Sequence, residues 1–147
     1  MAATATAADT TISERTRATV QRFLARMAAG DLQGLGELFA ERVDWRIAEN
    51  PDVPWIRPRA TRADAVAHFR ELGESLAPDP EGNTIDVIVV EEAEAMVTGT
   101  LAGTVRATGK RYRSPFAVRV TVEDGLIVRY CVYEDSRMFA EACTPDA

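Results

Sequence analysis

The sequence predicts an α+β architecture, with helices packed on one face of a strongly curved, mostly antiparallel sheet, and three observations carry that expectation. Apolar residues recur at helical spacing over most of the first 76 positions, interrupted by one alternating stretch. From residue 84 to 134 the period changes to two, in Val- and Thr-rich segments separated by turn residues. Helices that precede a run of neighbouring strands collect on one side of the sheet those strands form.

Thr11 followed by Glu14 is a capping-box pattern, and Val20, Phe23, Leu24 and Met27 then share one face, so a helix is expected over 12–29. Gly30 suits the left-handed residue that ends it, and Asp31 can cap a second helix with the stripe Leu32, Leu35, Leu38 and Phe39. Val43, Trp45 and Ile47 alternate with Asp44 and Arg46, which predicts a half-buried strand over 43–49 that stops at Pro51. Pro51, Pro54 and Pro58 make residues 50–60 a loop, on which Trp55 needs apolar cover. Thr61 caps a third helix carrying Val66, Phe69, Leu72 and Leu76, broken by the segment from Pro78 to Asn83.

Strands are expected over 84–92, 95–108, 111–123 and 126–134, joined by turns at Gly109-Lys110 and Asp124-Gly125 into an antiparallel meander. A short helix from Ser136 to Ala142 closes the chain. Gly99 and Gly103 mark where such a sheet bends tightly or lets a ligand approach its backbone, which curls it into a cone with an open interior. One domain is expected over residues 11–143, preceded by a disordered tail over 1–10.

With 147 residues, 46% of them apolar, the chain is long enough to bury a core without staples. A net charge of -6 argues against nucleic acid or an anionic membrane as partner and suggests a neutral or apolar ligand. Cys131, Cys143 and the single histidine, His68, cannot supply a conventional zinc site, so the cysteines read as reduced thiols and no metal or cofactor is expected. The Ala- and Thr-rich start lacks the pattern of an export signal, and no apolar run reaches membrane-spanning length, which points to the cytoplasm.

Three stretches in register, FLARMAAGDLQGLGELFAERVDW, VPWIRPRATRADAVAHF and SPFAVRVTVEDGLIVRYCVYEDSRMF, resemble the SnoaL-like branch of the nuclear transport factor 2-like superfamily, which includes ketosteroid isomerases, polyketide cyclases and limonene epoxide hydrolase. The resemblance implies a cone-shaped, dimer-forming fold used for cofactor-free acid and base chemistry on hydrophobic molecules. The scaffold also serves as a plain binding module, so function must be argued from the site. The resemblance puts the isomerase's tyrosine, base and protonated acid at Phe23, Ile47 and Ala117, or the base at Asn50, after Glu49, if a short insertion aligns ENP with the isomerase's EDP. The hydrolase's Arg and two Asp fall at Gly99, Leu101 and Val132, so neither mechanism is carried over.

Other polar groups are left to do the chemistry. Glu49 shares parity with Trp45 and Ile47 and is a candidate general base at the pocket mouth, or else a solvated strand-end carboxylate. Arg119 shares parity with Ala117 and Thr121, where it could grip a carboxylate or an enolate, or simply face solvent. Tyr130 and Glu134 fall on one register of the last strand, so Tyr130 could donate to ligand and Glu134 could pair with Arg119. His68, beside Val66 and Phe69, is either an acid or base in the cavity or a satisfied boundary histidine. Phe23, Trp45, Ile47, Asn50, Trp55, Phe69, Leu101, Ala117 and Val132 complete the expected lining, with Trp55 as a lid over an apolar ligand.

These readings favour a cofactor-independent isomerase, cyclase or dehydratase acting on a hydrophobic molecule that is polyketide-like or otherwise carbonyl-bearing. The alternative is a non-catalytic ligand-binding or dimerisation module.

Overall fold

The computed structural model describes residues 10–147. The element order is α1 (Ile12–Ala29), α2 (Leu32–Glu37), β1 (Phe39–Ile47), α3 (Arg62–Ser75), β2 (Leu76–Pro78), β3 (Thr84–Glu91), β4 (Glu94–Val105), β5 (Arg111–Glu123), β6 (Leu126–Glu134) and α4 (Ser136–Cys143). The disordered tail expected over 1–10 lies outside the described residues apart from Thr10, whose carbonyl accepts a 2.6 Å hydrogen bond from Arg15.

Local chemistry sets the helix ends. The Thr11 hydroxyl accepts from the Glu14 amide at 3.1 Å, and the Glu14 carboxylate accepts from the Thr11 amide at 2.9 Å. Gly30 ends α1 at φ +67°, a conformation that favours residues without a Cβ, and the Asp31 carboxylate caps α2 through the Gly34 amide. Thr61 and Asp64 form the same reciprocal cap on α3. Thr16, buried on α1, donates to the Glu92 carbonyl at 2.7 Å and so ties that helix to the β3–β4 turn.

The sheet runs β1-β6-β5-β4-β2, with β3 also paired to β4. Every pairing is antiparallel except that of β1 with β6. Three boundaries differ from the sequence expectation, the first being the end of β4, which stops at Val105 rather than 108 because residues 106–108 already turn toward β5. Phe39 opens β1 rather than closing α2, so that strand begins earlier and ends at Ile47, short of Glu49. Leu76–Pro78 leaves helical geometry as soon as α3 ends and pairs with β4, a partnership between residues far apart in sequence that periodicity does not register.

The curl of the sheet has a visible cause at Gly99. β3 shifts register between Ile85 and Val87, opposite Gly99 and Thr98. A Cβ on Gly99 would run into the Thr84 carbonyl and come within 2.9 Å of the Phe116 ring. Gly99→Ala is therefore expected to lower stability by about 1–3 kcal/mol, which urea denaturation at unchanged m-value would read.

Buried side chains form two clusters. One joins α1, α3 and the sheet through Val20, Phe23, Phe39, Phe69, Val120 and Tyr130. The other joins the 51–60 loop to α4 through Val53, Trp55, Tyr112 and Phe139. Trp55 meets Phe139 edge-on with centroids 6.0 Å apart, which supplies the apolar cover its loop position demanded.

Candidate active site

Between the two clusters lies a cavity of about 670 Å³, roofed by α1 and α3 and floored by β4, β5 and β6. Its walls are overwhelmingly apolar. Tyr112, Phe116, Val118 and Val120 project into it from alternate positions of β5, while Tyr130, Val132 and Glu134 do so from β6. The register places Val120 opposite Tyr130, Val118 opposite Val132 and Phe116 opposite Glu134, so these residues form one inward row on each strand.

Glu134 is the only carboxylate among the lining residues. Burial pushes its carboxyl up to about 7, with no ion pair or hydrogen bond among the described residues to hold the charged form. Tyr130 is 4% exposed, and burial followed by the charge of Glu134 raises its hydroxyl above the ordinary value. It therefore stays protonated and able to donate. The Trp45 ring stacks on it at 4.6 Å and 25°, fixing the phenol from behind.

His68 reaches the cavity from α3. Burial first, then the charge of Arg59, pushes it down to about 4, against a smaller opposing pull from the Trp55 carbonyl. The ring is neutral near pH 7, its centroid 4.7 Å from that of Trp45, and its Nδ1 is buried without a hydrogen-bond partner among the described residues. Arg59 in turn donates to the Trp55 carbonyl at 3.2 Å and to Glu71 at 2.7 Å, anchoring the loop against α3.

Several expected site residues fall elsewhere. Arg119 lies on the outer face of the sheet, 40% exposed, and donates to Glu94 at 2.9 Å rather than to Glu134. Glu94 also accepts from Thr121 at 2.9 Å, and Asp44 accepts from Arg46 and Arg129 at 3.0 and 3.1 Å, so an ionic ladder crosses that face. Ala117 shares the outer parity and does not line the cavity. Glu49 is exposed beyond the end of β1, also away from the lining. Asn50 is buried but turns to α4, donating to the Ser136 carbonyl at 2.8 Å. Trp45 supports Tyr130 without lining the cavity itself. By contrast, Phe23, Ile47, Trp55, His68, Phe69, Leu101, Tyr130, Val132 and Glu134 all line it.

Strand parity explains the misplacement of Arg119 and Ala117. On β5 the even positions from 112 read Tyr, Ser, Phe, Val, Val and the odd positions from 111 read Arg, Arg, Pro, Ala, Arg. The apolar row is the inward one. That alternation could also have found Tyr112, Phe116, Val118 and Val120, whereas Phe139 reaches the cavity from α4 with no such signal. Arg119→Met is expected to change stability by less than about 1 kcal/mol, because an exposed pair contributes little, and to leave ligand binding untouched in a titration.

Among the described residues, no three His, Cys, Asp or Glu side chains group as a metal site requires, and no helix is long and apolar enough to cross a membrane. The profile of the SnoaL-like domain family matches residues 20–130. The chain belongs to the SnoaL-like family. Solved structures agree with this SnoaL-like assignment at the level of fold. An NTF2-like protein of Burkholderia xenovorans superposes with a TM-score of 0.79 at 22% identity, covering 90% of this chain and 98% of its own. A second, from Burkholderia thailandensis, gives 0.77 at 22% identity over 88% and 98%. A candidate polyketide cyclase of Xanthomonas campestris gives 0.72 at 17% identity over 91% and 100%. No curated protein matches the SnoaL-like chain.

Proposed function

We propose that the chain is a cofactor-independent enzyme that moves a proton on a hydrophobic molecule that is polyketide-like or otherwise carbonyl-bearing. The observation that carries this reading is the single carboxyl of Glu134, set near 7 inside an apolar cavity on the same inward row as Tyr130. Ionised Glu134 takes a proton from the carbon beside the carbonyl. The C–H electrons pass into an enolate, whose oxygen accepts a hydrogen bond from the Tyr130 hydroxyl. Return of the proton to another carbon completes an isomerisation, attack of the enolate carbon on a second carbonyl completes a cyclisation, and loss of a β-hydroxyl as water completes a dehydration. Isomerase and polyketide-cyclase names among the structural neighbours support the same class.

The chain would act in the cytoplasm as a homodimer. The outer face of the sheet exposes Val87, Val89 and Tyr133, and we assign it to contact with a second copy. Light scattering that found only monomer would remove that assignment.

The enzymatic reading is tested by deuterium exchange from D2O into the α-position of 2-tetralone, followed by NMR. Exchange that depends on Glu134 and Tyr130 supports it. Exchange unaffected by Glu134→Gln and Tyr130→Phe would leave the non-catalytic binding module in its place.

A further inference from the structure

The mouth of the cavity differs from its interior. The exposed residues of its lining include Met27 and Gly30 at the end of α1, Arg70 and Gly73 on α3, and Thr84 and Ile85 at the start of β3, so the cavity meets solvent there. Met27 and Ile85, both at this rim, are among the few large apolar side chains left exposed. An apolar rim around an apolar cavity fits a ligand whose hydrocarbon body extends out to the surface.

Arg70 is the one Lys or Arg among the lining residues, and it is exposed. The other charged residue of the lining, Glu134, sits at β6 on the cavity floor. Arg70 makes no ion pair among the described residues, although Arg57 and Arg59 share Glu71 and Arg62 pairs with Glu41. Asn83 cannot take over as donor at the rim, because its amide nitrogen already donates to the Asp79 and Ala102 carbonyls and its oxygen accepts from the Ala102 amide. An unpaired guanidinium offers paired N–H donors matched to a carboxylate.

We propose that the substrate class is an elongated amphipathic carboxylate. Its apolar body fills the cone, its reactive carbonyl lies toward Glu134 and Tyr130, and its carboxylate is held at the mouth by Arg70. This departs from the neutral ligand suggested by the net charge of -6, because one unpaired cation at the rim outweighs distant, screened surface charge. The inference rests on the proposed proton transfer for which end of the ligand reacts, but not for whether the ligand binds.

The probes are dodecanoate and methyl dodecanoate, with binding followed by tryptophan fluorescence at low ionic strength. The carboxylate is expected to bind about three- to ten-fold more tightly than the ester, in the range of a favourable exposed or half-buried Arg pair. Arg70→Ala should abolish that preference and Arg70→Glu reverse it, with ester affinity unchanged in both. Glu134→Gln should keep the preference while losing proton exchange, which separates failure of this proposal from failure of the catalytic reading. Equal affinity for the two probes, a preference that survives Arg70→Ala, or no binding of either would overturn it.

Discussion

Glu134→Gln is expected to lower the rate of proton exchange on a hydrophobic ketone by about 10²- to 10⁴-fold, the usual contribution of a positioned general base. The amide keeps the shape of the carboxyl and removes only its ability to accept the proton, so binding of the ketone should persist. The unsubstituted protein should show a rate that rises with pH and levels off above about 7, because only ionised Glu134 is a base and burial holds its carboxyl near that value. Tyr130→Phe removes the hydrogen bond to the enolate oxygen and should cost about 10²- to 10³-fold while leaving the midpoint of the pH profile near 7. Steady-state rates between pH 5 and 9 measure both effects. A profile with its midpoint at an ordinary carboxylate value would show that Glu134 is not the titrating base.

Glu134 and His68 together give the fold an unusual response to acid. Glu134 is raised from 4.5 to about 7, so the folded protein holds this proton more tightly than the unfolded chain. Stability from this group is present in acid and is lost as pH rises through about 7, by about 3 kcal/mol. His68 is lowered from 6.5 to about 4, so the unfolded chain holds that proton more tightly. Its contribution is present above about 6.5 and is lost as pH falls toward 4, again by about 3 kcal/mol.

The two windows overlap with opposite sign. The unsubstituted protein should therefore show nearly constant stability between about pH 4.5 and 6.5, whereas either variant unmasks the remaining slope. Glu134→Gln should be the more stable protein at about pH 8 and lose stability steadily on acidification. His68→Asn should gain stability on acidification over the same range. The slope of urea unfolding free energy against pH measures this independently of any cavity His68→Asn leaves behind. Parallel slopes in all three proteins would contradict the burial of both groups. Glu94, Asp44 and Asp64, whose ion pairs and hydrogen bonds lower their carboxyls, contribute stability that is lost toward acid equally in all three proteins and cancels from the comparison of slopes.

Local chemistry was legible in the chain itself. The caps at Thr11, Asp31 and Thr61, the left-handed Gly30 and the turn at Asp124-Gly125 follow from side-chain reach and backbone freedom, and each appears where its residues stand. Gly99 was expected at a tight bend or a ligand approach, and the structure brings the Thr84 carbonyl against it. Legibility was uneven where polar residues had to be assigned to a face: His68, Tyr130 and Glu134 line the cavity as expected, and Arg119 and Glu49 do not. Arg119 was expected inside and lies outside, and Glu134 was expected to pair with it and instead stands alone in the cavity.

Sequence by itself determined the family, the helix caps, the meander and its turns, because these depend on neighbours along the chain and on period. Tertiary structure alone decided the early start of β1, the pairing of β2 with β4, the burial that shifts Glu134 and His68 in opposite directions, and the unpaired position of Arg70 at the mouth. Each of these depends on which distant atoms displace water from a group, or fail to pair with it, and no local pattern encodes that.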